Sequence, residues 1–410
     1  MKKLCLFFIC CVLLLPALGF PQEKTEFTLE DIIRIGLEKN PSIAARQSAV
    51  QAKQEAFLAA KRLSNPEFKF QAGKGESYDG LKTQNTRGFA ISQPIENPFK
   101  RHYRLLMYEN AWKASESLSD FSKLELVFEI KNLFFKILFF NNIEELSQKN
   151  FESIAEIQHL IEKRAQFGEV KELEAIKLRV ETLKAQNELN KIRTELVLAK
   201  ERLNSLLNNS LPSSFSVSGL LDFFPFSEDE ESLTSKTLIS YPLIKQKEFE
   251  VQAALNNKSR LKWKKLPDFK LTGFSNKELD GTNKGFGLSL DIPLWNLNAR
   301  DIAEAEHTLN QREAELRALL LEISAEVRAK LNKLHLSEQT LNLFHTGLLK
   351  QAGESLKISE VSYKEGEISL IDYLDSQRTF FSIMFDYQNS LFTWNIDKAA
   401  LEKTIGEDIK

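Results

Sequence analysis

Cysteine is missing from almost all of this chain. The three it has, Cys5, Cys10 and Cys11, fall inside the apolar run 4–15, so beyond that run there is no disulfide, thiolate nucleophile or cysteine-bound metal. Histidine is nearly as scarce, and His102, His159, His307, His335 and His345 have no spacing that would set two imidazoles on one ion. Past the initiator only Met107 and Met384 remain, too few for a soft-metal relay. An excess of one charge is absent as well. The 55 basic and 57 acidic side chains leave −2, or −4 once Lys2 and Lys3 are removed, so nothing in the charge points to a nucleic-acid-binding surface and no nucleic-acid partner is expected. There is no Gly-x-Ser-x-Gly and no His-Glu-x-x-His, and Gly73-Lys74-Gly75 is too sparse for a phosphate cradle and reads as hairpin loop. An enzyme is therefore not expected, and neither is a cofactor or a resident metal.

Long hydrophobic runs are the last absence. The apolar run 4–15 is well short of the ~20 residues a spanning helix requires, and no other stretch comes closer. With Met1-Lys2-Lys3 ahead of it and Ala17-Leu18-Gly19 behind, it has the layout of a secretory leader covering 1–19. A lipid-modified mature N-terminus is not expected, since Cys11 follows Cys10 and Ile9 inside the apolar core of that leader. A secreted chain without a spanning helix can cross a membrane only as a barrel of strands.

What the chain has in abundance is repetition. Asn40-Pro41 returns as Tyr241-Pro242, and Asn65-Pro66-Glu67-Phe68 as Leu266-Pro267-Asp268-Phe269, both at an offset of 201 residues. Gly88-Phe89-Ala90-Ile91-Ser92 is answered by Gly285-Phe286-Gly287-Leu288-Ser289, and Phe167-Gly168-Glu169-Val170 by Glu365-Gly366-Glu367-Ile368. A repeat of this length is one fold made of two halves, 20–207 and 233–410, and not a solenoid of short units. The Ser-, Pro- and Phe-rich stretch 208–232 reads as the linker between them, carrying Phe215, Phe223, Phe224 and Phe226 and then the acidic run 227–231.

Each half has the same order of elements. Thr28 with Asp31 has capping-box spacing and opens a short helix; Pro41 then ends that helix and starts the next. Two-residue alternation predicts strands over about 66–73 and 86–94, and again over 267–275 and 284–293. Proline turns at Pro94 and Pro293 lead from each hairpin into a helical hairpin, about 99–207 and 299–404. Its first arm would be about 100 Å long at 1.5 Å per residue. In the second half Leu320, Ile323, Val327, Leu331, Leu334, Leu341 and Leu348 recur with a heptad step, as in coiled coils. Gly168 and Gly366 mark the turns.

Taken together, leader, duplicated halves, hairpins and long coiled-coil pairs, with Gly366-Glu367-Ile368-Ser369-Leu370-Ile371-Asp372 at the second turn, resemble the outer-membrane efflux protein family of TolC-like channels. The resemblance covers about 27–405. It implies a mainly α-helical fold with a small membrane β part: a homotrimer whose four strands per chain close a 12-strand barrel in outer-membrane lipid, continued by an α-helical barrel across the periplasm. It further implies a passive exit duct working with a periplasmic adaptor (membrane fusion protein) and an inner-membrane pump. Asp372 and Asp375 match the family's periplasmic gate carboxylates, and Glu174 is the first half's equivalent of Asp372. Lys177, however, stands where a second Asp375 would be. The adaptor would dock at the tips, Gly168-Glu169 and Gly366-Glu367. The junction 92–96 is somewhat similar to the branch that exports heavy-metal cations, although metal cations, drugs and polypeptides all remain open as cargo. A periplasmic adaptor or another structural coiled-coil protein is the rival reading, weakened by the presence of two helical hairpins and only four strands.

Overall fold

The computed structural model describes residues 25–81, 83–293 and 297–408; the expected leader lies outside them. Its elements run β1 Glu26–Phe27, α1 Leu29–Lys39, α2 Pro41–Lys61, β2 Glu67–Glu76, β3 Thr83–Ile95, α3 Pro98–Gln166, α4 Glu172–Leu206 and β4 Ser216–Val217. They continue with α5 Glu230–Ser240, α6 Pro242–Trp263, β5 Phe269–Glu278, β6 Gly281–Leu290, α7 Ala299–Leu343, a π turn Phe344–Leu348, α8 Leu349–Glu365 and α9 Leu370–Ile405. The second half thus repeats the order of the first.

The helix starts follow from local chemistry. Thr28 and Asp31 form the reciprocal cap, with the Asp31 N–H donating to Thr28 Oγ1 at 3.3 Å and the Thr28 N–H donating to Asp31 Oδ2 at 3.2 Å. Asn40 caps α2 by accepting from the N–H groups of Ser42 and Ile43. Its Pro41 sits at the first helical position, where the missing donor costs nothing. The acidic run at the end of the expected linker turns out to be helical in part. Asp229 caps α5, and Glu230 and Glu231 fill its first turn, where they meet the positive end of the helix dipole.

Two compact units divide the described chain otherwise than the sequence repeats do: 25–36 with 133–221, and 37–132 with 222–408. In the first, β1 pairs in parallel with β4, and the C-terminal part of α3 packs on α4. Ile137, Ile143, Leu178 and Leu203 are fully buried there, and Gly219 admits the Phe134 ring to within 3.3 Å of where a Cβ would stand.

The second unit holds the only four-stranded sheet among the described residues, in the order β2-β3-β5-β6 with antiparallel neighbours throughout. The two hairpins therefore come together side by side, β3 against β5. Three of the strands have 10 residues and β3 has 13. Both hairpins are longer toward their turns than the alternation indicates, and Gly73-Lys74-Gly75 belongs to β2 and not to a loop. Two glycines in three positions erase the apolar signal there without preventing the ladder. At the other end β6 stops at Leu290, short of the proline turn.

A dense set of polar contacts joins sheet to helices. Asn97 caps α3 through Phe99 N–H at 3.0 Å, while its own N–H donates to Asp268 of the second half at 2.9 Å. Lys100 also pairs with Asp268, and Arg104 grips Glu96 with two guanidinium nitrogens, at 3.1 and 2.6 Å. Phe99 stacks on Trp263 with centroids 4.4 Å apart. The strand-to-helix corner of the first half is thus cross-braced against the helix-to-strand entry of the second.

In the same unit α7 and α9 pack through Ile323, Val327, Leu331, Leu334 and Leu341, all buried. Leu348, expected on that stripe, is 40% exposed. The intervening π turn, with Gly347 at φ 155°, re-phases the helix so that Leu348 rotates out. Of the linker aromatics, Phe215 is buried and Phe223 meets Trp394 edge-on at 5.4 Å, whereas Phe224 is exposed.

One buried ion pair ties the end of α9 to α3. Lys131 Nζ lies 2.7 Å from Glu402 and 2.5 Å from Asp408. Burial alone would push the Lys131 ammonium down, but the two carboxylates outweigh it and hold it above the ordinary lysine range. Its contribution is therefore complete below the unfolded lysine value and is lost as pH rises through the higher folded value. Lys131→Met should destabilise the helical fold by about 3 kcal/mol, because Glu402 is left buried without its cation. The stability gap between Lys131→Met and the unaltered chain should narrow above about pH 10.5. Denaturant unfolding followed by circular dichroism at pH 7 and pH 11 checks both statements.

Candidate functional site: the helical tips and the two faces of the sheet

The tip of the first unit is the turn from α3 to α4. Gly168 adopts φ 76°, the left-handed region that side chains resist, with no atom within 4 Å of where a Cβ would be. The Glu169 N–H donates to the Arg164 carbonyl at 2.9 Å and the Gly168 N–H to Ala165 at 3.0 Å, closing the helix with a Schellman turn. The second unit has the same geometry where α8 meets α9. Gly366 has φ 81°, the Glu367 N–H reaches Ser362 at 2.8 Å, and the Gly366 N–H reaches Tyr363 at 3.1 Å. Two sequences with only the Gly-Glu pair in common build one turn.

The helices leaving these turns differ. Ser369 caps α9 in a capping box: its N–H and hydroxyl donate to Asp372 Oδ2 at 3.2 and 2.7 Å, and its hydroxyl accepts from Asp372 N–H at 3.3 Å. One oxygen of the expected gate residue Asp372 is thus committed to holding a helix end. Asp375, one turn on, is exposed and has no hydrogen bond or ion pair among the described residues. In the first unit Lys171 stands at the cap position with no side-chain bond, and Glu174 is half-buried with no ion pair or hydrogen bond to its carboxylate among the described residues. Lys177 is exposed. Behind the turns, Tyr363 stacks on Tyr373 at 5.3 Å in one tip, and Arg179 pairs with Glu162 at 3.0 Å in the other.

One feature of the tips was overlooked in the sequence although its spacing was there to be found. On α4, Leu173, Ile176, Val180 and Leu183 follow a heptad step and are 57, 48, 46 and 59% exposed. They form a second apolar stripe beside the one, through Ala175, Leu178, Ala185 and Leu189, that packs on α3. Phe167, at the turn itself, is 80% exposed.

Cross-strand register sorts the sheet into two faces. Phe68, Phe70, Phe89, Ile91, Leu271, Phe286, Leu288 and Leu290 share one, since Phe70 faces Phe89, Phe68 faces Ile91 and Leu271 faces Leu288. All of them are exposed in the single chain. The opposite face is polar: Gln71, Gln84, Thr86, Ser92, Thr272 and Asn276, with Ser92 and Thr272 sharing a hydrogen bond at 2.9 Å. Its charges balance, Glu67 and Glu278 against Lys69 and Lys270. Gly73, Gly75, Gly88, Gly285 and Gly287 also lie on this face, and the Phe274 ring covers Gly285, 3.0 Å from where a Cβ would stand.

No cluster of metal-ligating side chains occurs among the described residues, and no described helix is long and apolar enough to cross a membrane. A sheet with one apolar face and one polar face is the arrangement that a strand barrel in the outer membrane requires. Residues 32–209 and 233–407 each match the outer membrane efflux protein family, and the chain belongs to that family. It is 21% identical over 373 residues to the cobalt-zinc-cadmium resistance protein CzcC of Cupriavidus metallidurans, covering 90% of this chain and 87% of that one. Its fold is similar to those of the outer-membrane channel OprN (TM-score 0.79, 15% identity, 92% of this chain and 89% of that one) and CusC (0.78, 15%, 92% of each). The Campylobacter jejuni CmeC outer membrane channel is similarly close (0.79, 17%, 92% of this chain and 85% of that one).

The contrast between the tips is testable. Ser369→Ala removes a cap and should loosen the first turn of α9 by about 1 kcal/mol, seen as faster amide hydrogen exchange there. Lys171→Ala, at a position with no cap bond, should leave exchange at the start of α4 unchanged.

Proposed function

We propose that this chain is the exit duct of a tripartite efflux system. Three copies close their sheets into a 12-strand barrel in the outer membrane, and their helices continue it into the periplasm. The observation that carries this reading is the sheet: one face apolar, one polar, and two outer strands, β2 and β6, with no strand paired to their free edges among the described residues. In hydrocarbon those edges must be satisfied, and closure with neighbouring copies does so while turning the apolar face to lipid. The second apolar stripe on α4 supplies a further seam of the kind that packs against another helix.

The tips at Gly168-Glu169 and Gly366-Glu367 are where a periplasmic adaptor would dock, bringing the inner-membrane pump into line. Asp372 and Asp375 form the periplasmic gate of the second half, and Glu174 is their counterpart on the tip of the first. Since the polar face of the sheet carries balanced charge, any preference for cations resides in these tip carboxylates. Metal cations are the favoured cargo, on the strength of the similarity to a cobalt-zinc-cadmium resistance protein. They would pass as hydrated ions, because no ladder of ligands occurs among the described residues.

Asp375 is the more telling of the two aspartates, because its carboxylate is not engaged in a cap. In planar bilayers, Asp375→Asn should reduce cation over anion selectivity at least as much as Asp372→Asn does. Unchanged reversal potentials for both variants in a salt gradient would remove the gate assignment. Loss of the gene should lower zinc, cobalt or cadmium tolerance. Unaltered tolerance to all three would shift the cargo to drugs or polypeptides.

A further inference from the structure

We propose that the rim of the sheet's apolar face, on the side of the hairpin turns, binds the phosphorylated headgroups of the glycolipid in the outer leaflet. This rests on the orientation proposed above, with the helices in the periplasm and the hairpin turns outside.

Beyond Phe70, Phe89 and Phe286 the apolar face changes character within one residue pair. Arg87 of β3 stands directly opposite Lys277 of β5, and Lys284 of β6 opposite Ser275, one pair nearer the apolar band. Lys74 of β2 lies opposite Asn85, two residues along β3 from Arg87. All four cations are exposed, and none has an ion pair or hydrogen bond among the described residues. The only acid on this face is Glu76, at the last pair of the hairpin.

Like charges set directly opposite across a strand pair repel, and Arg87 with Lys277 is such a pair. The other face of the same sheet avoids the problem, with Lys270 pairing with Glu67 at 2.5 Å. Four uncompensated cations therefore mark one face and one end only. Their position immediately past the aromatic edge of the lipid-facing band is the level at which lipid headgroups lie, so the counter-charge has to come from the membrane. Guanidinium and ammonium groups complement phosphate, and the outer leaflet presents phosphate on its glycolipid. With three copies the rim becomes a belt.

The test uses the full assembled protein in detergent, with bisphosphorylated lipid A as probe, dephosphorylated lipid A and inorganic phosphate as controls, and thermal unfolding as readout. Lipid A should raise the unfolding temperature, and this shift should shrink as salt screens the charges. The dephosphorylated lipid should give a distinctly smaller shift and inorganic phosphate none. In the triple variant Arg87→Ser, Lys277→Ser, Lys284→Ser, half of the shift should require at least ~10-fold more lipid A. If that variant does not assemble, Lys284→Ser alone should show the same trend to a smaller degree.

The inference is overturned if dephosphorylated lipid A stabilises as well as the bisphosphorylated form, if inorganic phosphate alone reproduces the shift, or if the variants respond like the unaltered protein. Orientation is checked separately by Asp79→Cys in the turn between β2 and β3, the mature chain having no other expected cysteine. Labelling of Cys at that site from outside intact cells, together with no phosphate-dependent shift, defeats the lipid site and leaves the duct standing. Absence of external labelling defeats the orientation on which both depend.

Discussion

Along β2 and β6, every second backbone N–H and C=O points away from the sheet with no strand paired to receive it among the described residues. In water that is tolerable; in hydrocarbon each unsatisfied group costs several kcal/mol. This requirement organises the rest of the molecule. It calls for a neighbour on both edges, and the faces of the sheet are already sorted for the closed form, apolar to one side and polar to the other. The corners at Asn97, Lys100 and Asp268 hold the hairpins of the two halves at a fixed angle to their helices. A hinge there would leave the edges unable to find their neighbours in register.

The duplication shows how much a repeated frame can diverge while its geometry persists. Gly168 and Gly366 make the same turn from different flanking residues, because the left-handed conformation constrains one position and leaves the others free. One residue later the halves separate in chemistry, with a capped and acidic start to α9 and an uncapped start to α4 beside Lys177. In the long arms, α3 runs uninterrupted over Pro98–Gln166, whereas its counterpart is broken by a π turn at Gly347.

Much of this was legible in the order of residues. Thr28 with Asp31, Asn40-Pro41, Gly168 and Gly366 are punctuation with a local mechanism, so their reading does not depend on what the rest of the chain does. The strands were visible as alternation for as long as large side chains marked it, and were lost at Gly73-Lys74-Gly75, where two glycines leave no face to read. Leu348 was misplaced because a single glycine in a periodic helix does not announce an extra residue in a turn. Asp372 had the spacing of a cap partner to Ser369 in plain view. A carboxylate has two oxygens, so the same residue serves the cap with one and leaves the other free for a second role. The acidic run before α5 reads as the end of the linker, although Asp229 followed by two glutamates is also how a helix begins. The pairing of β3 with β5 lay beyond reach, since contacts between segments some 180 residues apart leave no local trace.

Glycines on the polar face of the sheet bear on how the cell envelope stays sealed. At Gly75, Gly88 and Gly285 a side chain from the neighbouring strand lies across the backbone, Thr86, Asn276 and the Phe274 ring respectively, so these residues are laid along the wall and not across it. The bore of the proposed barrel would be kept open in this way. In the proposed assembly, resistance to leakage in both directions would then depend on the helical end of the molecule.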